Sequence, residues 1–174
     1  MTDYLALPIG ERCPEIVTAV IETSQRKITK YDRRLHVFHP VKPVDSPVHY
    51  PGSYGFIPQT AGADGDPLSI FLLGDGASFF PGCVSQVRPI GLLELLDEGV
   101  HHRKILACAT RNSRLAPLRN YTDAQPNTLR EIEHFLSIYR TPRGKRARVL
   151  GWRDRAAACE NIRSSHARFV AGAA

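Results

Sequence analysis

Asp64 and Asp66 stand one residue apart in the run Asp64-Gly65-Asp66-Pro67. Two carboxylates so spaced on a glycine-containing turn, beside a strand, make an oxygen-rich corner that suits a hard divalent cation or an activated water. Asp and Gly are common in turns generally, so these four residues alone read more readily as an acidic surface loop. Three further acids, Glu22, Asp32 and Asp97, fall at the ends of expected strands, and four bases, Lys30, Lys42, Lys104 and Arg140, are placed similarly. Tyr50, Tyr54 and Tyr139 can donate hydrogen bonds to phosphate oxygens. Any one of these is by default a solvated surface residue. Together, acids that collect metal ions beside cations and phenols that grip an anion form the layout for metal-assisted phosphoryl transfer to water.

The elements that must carry these residues follow from the hydrophobic pattern. Glu15 to Glu22 is rich in β-branched residues and reads as a first strand. Ile28 to Asp32 reads as a second, with Leu35 to Phe38 as its hairpin partner. Pro40, Pro43 and Pro47 then break regular structure. The turn Tyr50-Pro51-Gly52-Ser53 leads into Tyr54 to Ile57, and Leu68 to Leu73 is an apolar run typical of a buried strand. Gly74 to Gly82 is a loop. Cys83 to Leu96 is a long strand pattern with a bulge expected between Pro89 and Gly91. A turn at Asp97 to Val100 returns it to Lys104 to Ala109. Thr128 with Glu131 predicts a capping box, followed by the helical stripe Leu129, Ile132, Leu136 and Tyr139, ended by Pro142 and Gly144. Arg146 to Trp152 is a last strand, and Asp154 caps a second helix packed through Ala158, Ile162 and Phe169. Strands first and helices last predict an α+β layout, a twisted antiparallel sheet or small barrel with helices outside.

The 174 residues read as one domain, 1–174, without internal repeats, and 43% hydrophobic with 23% charged residues is ordinary for a globular protein. The formal charge of +6 invites a polyanion, and the basic residues cluster late, from Arg143 to Arg168. No zinc-finger spacing, RNP-type aromatic motif or clear helix-turn-helix accompanies them, so a solvated basic face is expected rather than a nucleic-acid surface. Neither a membrane span nor a signal peptide is expected from the apolar runs or from the start MTDYLALPIG. Cys13, Cys83, Cys108 and Cys159 show no metal spacing and read as free thiols in a reducing cytoplasm.

Several of these segments together resemble the soluble family I inorganic pyrophosphatases: VIE ending at Glu22, Lys30-Tyr31, YPGSYGF, DGDP, RPIGLLELLDE, Lys104, the helix ending at Tyr139, and Gly151-Trp152. The resemblance runs from about Glu15 to the last helix. It implies a five-stranded closed barrel of OB type with flanking helices, magnesium-dependent hydrolysis of pyrophosphate to two phosphates, a small anionic substrate, and a homo-oligomer, usually a hexamer in bacteria. By position, Asp66 would orient and deprotonate the attacking water. Asp64 and Asp97 would ligate metal, and Glu22 would help to hold a further magnesium. Lys30, Tyr54, Lys104 and Tyr139 would bind phosphate, with Tyr50 in support.

The chain departs from the family pattern at five places. Asp32 stands where a glutamate is usual, Lys42 where an arginine grips phosphate, and Arg140 where a lysine does; these keep charge. Ser69 occupies the last position of DGDPxD, whose aspartate bridges two metals, and His102 the last position of DExxxD. A histidine nitrogen in the metal set (Glu22, Asp32, Asp64, Asp66, Asp97, His102) suits Mn2+, Co2+ or Zn2+ better than Mg2+. Three readings stay open: a divergent pyrophosphatase, a repurposed enzyme acting on an organic phosphate or another small molecule, and a non-catalytic anion-binding protein.

Overall fold

Five strands form a closed circuit of hydrogen bonds in the computed structural model of the chain, which describes residues 2–24, 27–41, 51–74, 79–138 and 147–173. In chain order the elements are β1 (Val17–Ser24), β2 (Lys27–Asp32), β3 (Val37–Pro40), β4 (Ser53–Phe56), β5 (Ser69–Leu73), β6 (Val84–Asp97), β7 (Val100–Ala109), α1 (Pro126–Ile138), β8 (Arg148–Arg153) and α2 (Arg155–Ala173). The circuit runs β1-β4-β5-β7-β6 and closes where β6 pairs back onto β1. Only the β5–β7 contact is parallel; the other four are antiparallel. The β2–β3 hairpin continues the sheet beyond β1, and β8 adds to the far side of β6. This is the closed five-stranded barrel with outer helices that the resemblance implies.

Alternation along the strands explains why the apolar runs are continuous rather than half polar. Ile70 and Leu72 of β5, with Ile105 and Ala107 of β7, join a core that also takes Val17, Ala19 and Ile21 and is closed by Ala158 and Ile162 of α2. The intervening Phe71, Leu73, Leu106 and Cys108 point the other way, into a second core with Ile132, Phe135 and Leu136 of α1. Both faces of the wall are therefore dry, and each fully buried large side chain contributes about 1.5–3 kcal/mol. A smaller cluster, Val20, Tyr31 and Phe56 with Tyr4, Leu7 and Phe38, fastens the hairpin and the N-terminal segment.

Most expected elements lie within a residue or two of their predicted limits. The bulge falls where Pro89 and Gly91 shift the β6–β7 register. The Asp154 carboxylate accepts the Ala157 amide at 2.9 Å and caps α2. Four expectations need correction. β7 starts at Val100 rather than Lys104, because the turn at Glu98-Gly99 is tight enough for Asp97 and Val100 to pair. β1 continues past Glu22 to Ser24. β3 starts at Val37, because His36 takes φ 54° in the preceding turn. α1 starts at Pro126, so Thr128 lies inside its first turn rather than capping it; proline's fixed φ suits the first helical position better than a threonine cap two residues on. Lys42, Tyr50, Tyr139 and Arg140, with the expected stop at Pro142 and Gly144, lie outside the described residues. The four cysteines are free thiols, and no helix among the described residues is long and apolar enough to cross a membrane.

Candidate active site

Glu22 is set by an irregularity in β1. Ile21 pairs with Gly55 and Thr23 with Tyr54, so Glu22 is the extra residue of a bulge between two buried neighbours. Bulges turn a side chain out of strict alternation, and this one gives the carboxylate a place of its own. Glu22 accepts the Tyr31 amide at 2.9 Å. Burial pushes its carboxyl above the usual carboxylate range, opposed by that amide and by the charges of Lys30, Lys104 and Arg33. A partly buried acid among three cations is thus the electrostatic centre of this end of the wall. The bulge depends on β4 lying hard against β1: a Cβ on Gly55 would sit 1.9 Å from the Val20 carbonyl oxygen. Only glycine permits that approach.

Tyr54, Ser69 and Lys104 come from three adjacent strands. Ser69 and Lys104 are direct partners in the parallel β5–β7 ladder, and Tyr54 stands opposite Phe71 across β4–β5. By alternation Ser69 shares the face of Phe71 and Leu73, and Lys104 that of Leu106 and Cys108, the face that α1 covers farther along. The Lys104 ammonium donates to the Tyr54 hydroxyl oxygen at 2.7 Å and to Ser69 Oγ at 3.0 Å. Ser69, the position that carries the bridging aspartate in the resembled pattern, is thus a hydrogen-bond acceptor for a cation.

The DGDP turn lies just before β5. Gly65 takes φ 78°, and Asp64 Oδ1 accepts the Asp66 amide at 3.0 Å. Asp66 Oδ1 is paired with Arg33 Nη2 at 2.5 Å. Arg33 comes from the turn after β2, so this ion pair joins the hairpin tip to the acidic turn. Asp32, its neighbour, faces its own turn. Its Oδ1 accepts the amides of Arg34 at 2.8 Å and Leu35 at 2.9 Å, and the Leu35 bond chiefly holds the carboxyl below the usual range.

Glu22, Lys30, Tyr54, Ser69 and Lys104 are therefore brought together, with Asp66 joined to them through Arg33. Asp97 ends β6 at the Glu98-Gly99 turn, and His102 stands two residues before Lys104 on β7, opposite Leu95. Among the described residues no three His, Cys, Asp or Glu side chains lie close enough together to hold a metal ion. A dense preformed cage is absent from that set. Asp64 and Asp66 still offer two hard oxygen donors on one turn, which suits magnesium, an ion held by one or two carboxylates plus substrate phosphates and its own water. Sequence reasoning missed Arg33. The basic pair Arg33-Arg34 beside a candidate acid was the available signal, and nothing local aims it at Asp66.

A closed barrel whose wall gathers a partly buried glutamate, lysines and a tyrosine next to an acidic turn defines an anion-handling barrel enzyme. A model of the family described as inorganic pyrophosphatase matches residues 17–170. The chain is similar to the inorganic pyrophosphatase of Thermus thermophilus, 36% identical over 97% of this chain and 99% of that one. It is 38% identical to that of a Nostoc species over 81% of this chain and 84% of that one. The crystal structure of the Thermus thermophilus inorganic pyrophosphatase superposes with a TM-score of 0.90 at 35% identity, over 97% of this chain and 99% of that one. An inorganic phosphatase structure from Anaplasma phagocytophilum superposes with a TM-score of 0.86 at 32% identity, over 94% and 98%. The chain belongs to the inorganic pyrophosphatase family, and it is a hydrolase of that family.

Proposed function

We propose that this chain hydrolyses inorganic pyrophosphate to two phosphates with the help of a divalent cation. The observation that carries this reading is the Lys104 ammonium fixed on Tyr54 beside the partly buried Glu22 and its neighbours Lys30 and Arg33. Family membership supports a divalent-metal requirement. Asp64 and Asp66 would hold the ion, with Glu22, Asp97 and His102 as further candidate ligands. When bound it would polarise a phosphoryl oxygen and acidify water.

The chain's own groups do the rest. Lys30, Lys104 and Tyr54 grip the phosphates, joined by Lys42, Tyr50, Tyr139 and Arg140, and oppose the charge that builds on the transferred group. Asp66 accepts the proton of the attacking water as its oxygen bonds to phosphorus. The bridging P–O bond breaks, and the second phosphate leaves with that electron pair. Ser69 and His102 lower the negative charge available to magnesium, so Mn2+, Co2+ or Zn2+ is expected to serve at least as well. The same reading takes 1–174 as one domain assembling as a cytoplasmic homo-oligomer.

The test is phosphate release from pyrophosphate with Mg2+, Mn2+, Co2+ and Zn2+, for the native chain and for Ser69→Asp/His102→Asp, with organic phosphates run alongside. Turnover is expected natively with at least one ion, and a gain of roughly 10²-fold or more with Mg2+ in the double variant, the scale of one restored catalytic group. No release from pyrophosphate by either protein with any ion refutes the proposal. Release from an organic phosphate alone reassigns the substrate.

A further inference from the structure

Arg33 is given no proton-transfer or phosphate-binding role above, yet it holds Asp66, the group proposed to take the proton of water. Its guanidinium meets Asp66 Oδ1 at 2.5 Å, linking the turn after β2 to the turn before β5. Both side chains are open to solvent, 45% exposed for Arg33 and 59% for Asp66. An ion pair so exposed adds little to stability, so tying the two loops together is a weak reason for it. Exposure also means that Arg33 can swing aside without disturbing the core. A divalent cation drawn to the Asp66 carboxylate competes with Arg33, which holds its Oδ1. From these observations we propose that Arg33 is a displaceable counter-ion of Asp66, which an incoming divalent cation must push away. Arg33 thereby sets the metal concentration at which the site fills. This rests on the reading of Asp66 as a metal ligand.

Competition for one carboxylate weakens the apparent affinity of the ion by the fraction of Asp66 left free. A pair of about 0.2–1 kcal/mol makes that factor about 1.4- to 5-fold. Calorimetric titration of the substrate-free protein with Mg2+ and with Mn2+ reads it directly. Arg33→Ala is expected to bind either ion up to about five-fold more tightly than the native chain. Arg33→Lys, which keeps the charge but lacks the planar fork, should fall between the two. Asp66→Asn should bind more weakly than all three. Thermal melts of the same proteins separate a fold defect from a change at the site. An Arg33→Ala affinity equal to or weaker than native, with Asp66→Asn still weakened, overturns this inference and leaves the metal reading standing. An Asp66→Asn affinity equal to native, or no binding by the native chain and Arg33→Ala alike, overturns both.

Discussion

Replacing Tyr54 by Phe removes one oxygen and leaves a ring of the same shape against the α1-side core. What is lost is the bond that the Lys104 ammonium donates at 2.7 Å. Hydrogen bonds to charged groups contribute about 1.5–3 kcal/mol, and solvent reaches this pair, so the lower part of that range applies. Lys104 keeps Ser69 Oγ at 3.0 Å and is not orphaned. A net loss of about 1–2 kcal/mol follows, which for a chain of this size lowers Tm by about 2–8 °C. The same oxygen is proposed to face phosphate, so kcat/KM for pyrophosphate should fall by about ten-fold per 1.4 kcal/mol lost from the transition state. Melting followed by circular dichroism gives the first quantity and phosphate release the second. Combining Tyr54→Phe with Lys104→Met in a cycle isolates the pair, with a coupling of about 1 kcal/mol expected. A Tyr54→Phe protein that melts within about 1 °C of native and shows no coupling to Lys104→Met would refute the reasoning.

Two other substitutions test the surroundings of the site. Burial raises the Glu22 carboxyl above its reference value of 4.5, so the native state binds more protons than the unfolded one between that value and the raised one. Native stability therefore falls as pH rises above 4.5 through that window, and Glu22→Gln should gain on native over the same rise; a difference that stays flat with pH refutes this. Gly55→Ala should cost about 3 kcal/mol, or about 6–12 °C, because the new methyl meets backbone at Val20 that cannot yield without parting β1 from β4; a Gly55→Ala chain as heat-stable as native removes the close approach as the cause of the Glu22 bulge.

The parts of the site carried by strand alternation were legible in the residues. Lys104 lies in the strand that returns from the Asp97–Val100 turn, and Tyr54 opens the short apolar segment of β4, so both could be placed on elements from the hydrophobic pattern alone. The turn at Asp64 and Asp66 was legible from its own composition. What escaped depends on partners distant in the chain. The bulge at Glu22 arises from where β4 registers on β1, and neither strand's pattern contains the slip. The Arg33–Asp66 pair joins two loops 33 residues apart. The parallel β5–β7 contact, which sets Ser69 against Lys104, runs against the antiparallel sheet expected from hairpin-like spacing. At α1 the local signals conflicted, and Pro126 set the start ahead of the threonine cap.

Three contacts of the wall join residues far apart in the chain: Val17 with Val87 across β1–β6, Ser69 with Lys104 across β5–β7, and Val20 with Phe56 across β1–β4. Loop-closure entropy is largest for such contacts, so they belong to the slow part of folding. Tyr54, Ser69 and Lys104 meet only across the β5–β7 contact. An incompletely closed chain therefore has no ammonium–phenol contact to offer a phosphate, and competence to bind arrives together with the finished barrel.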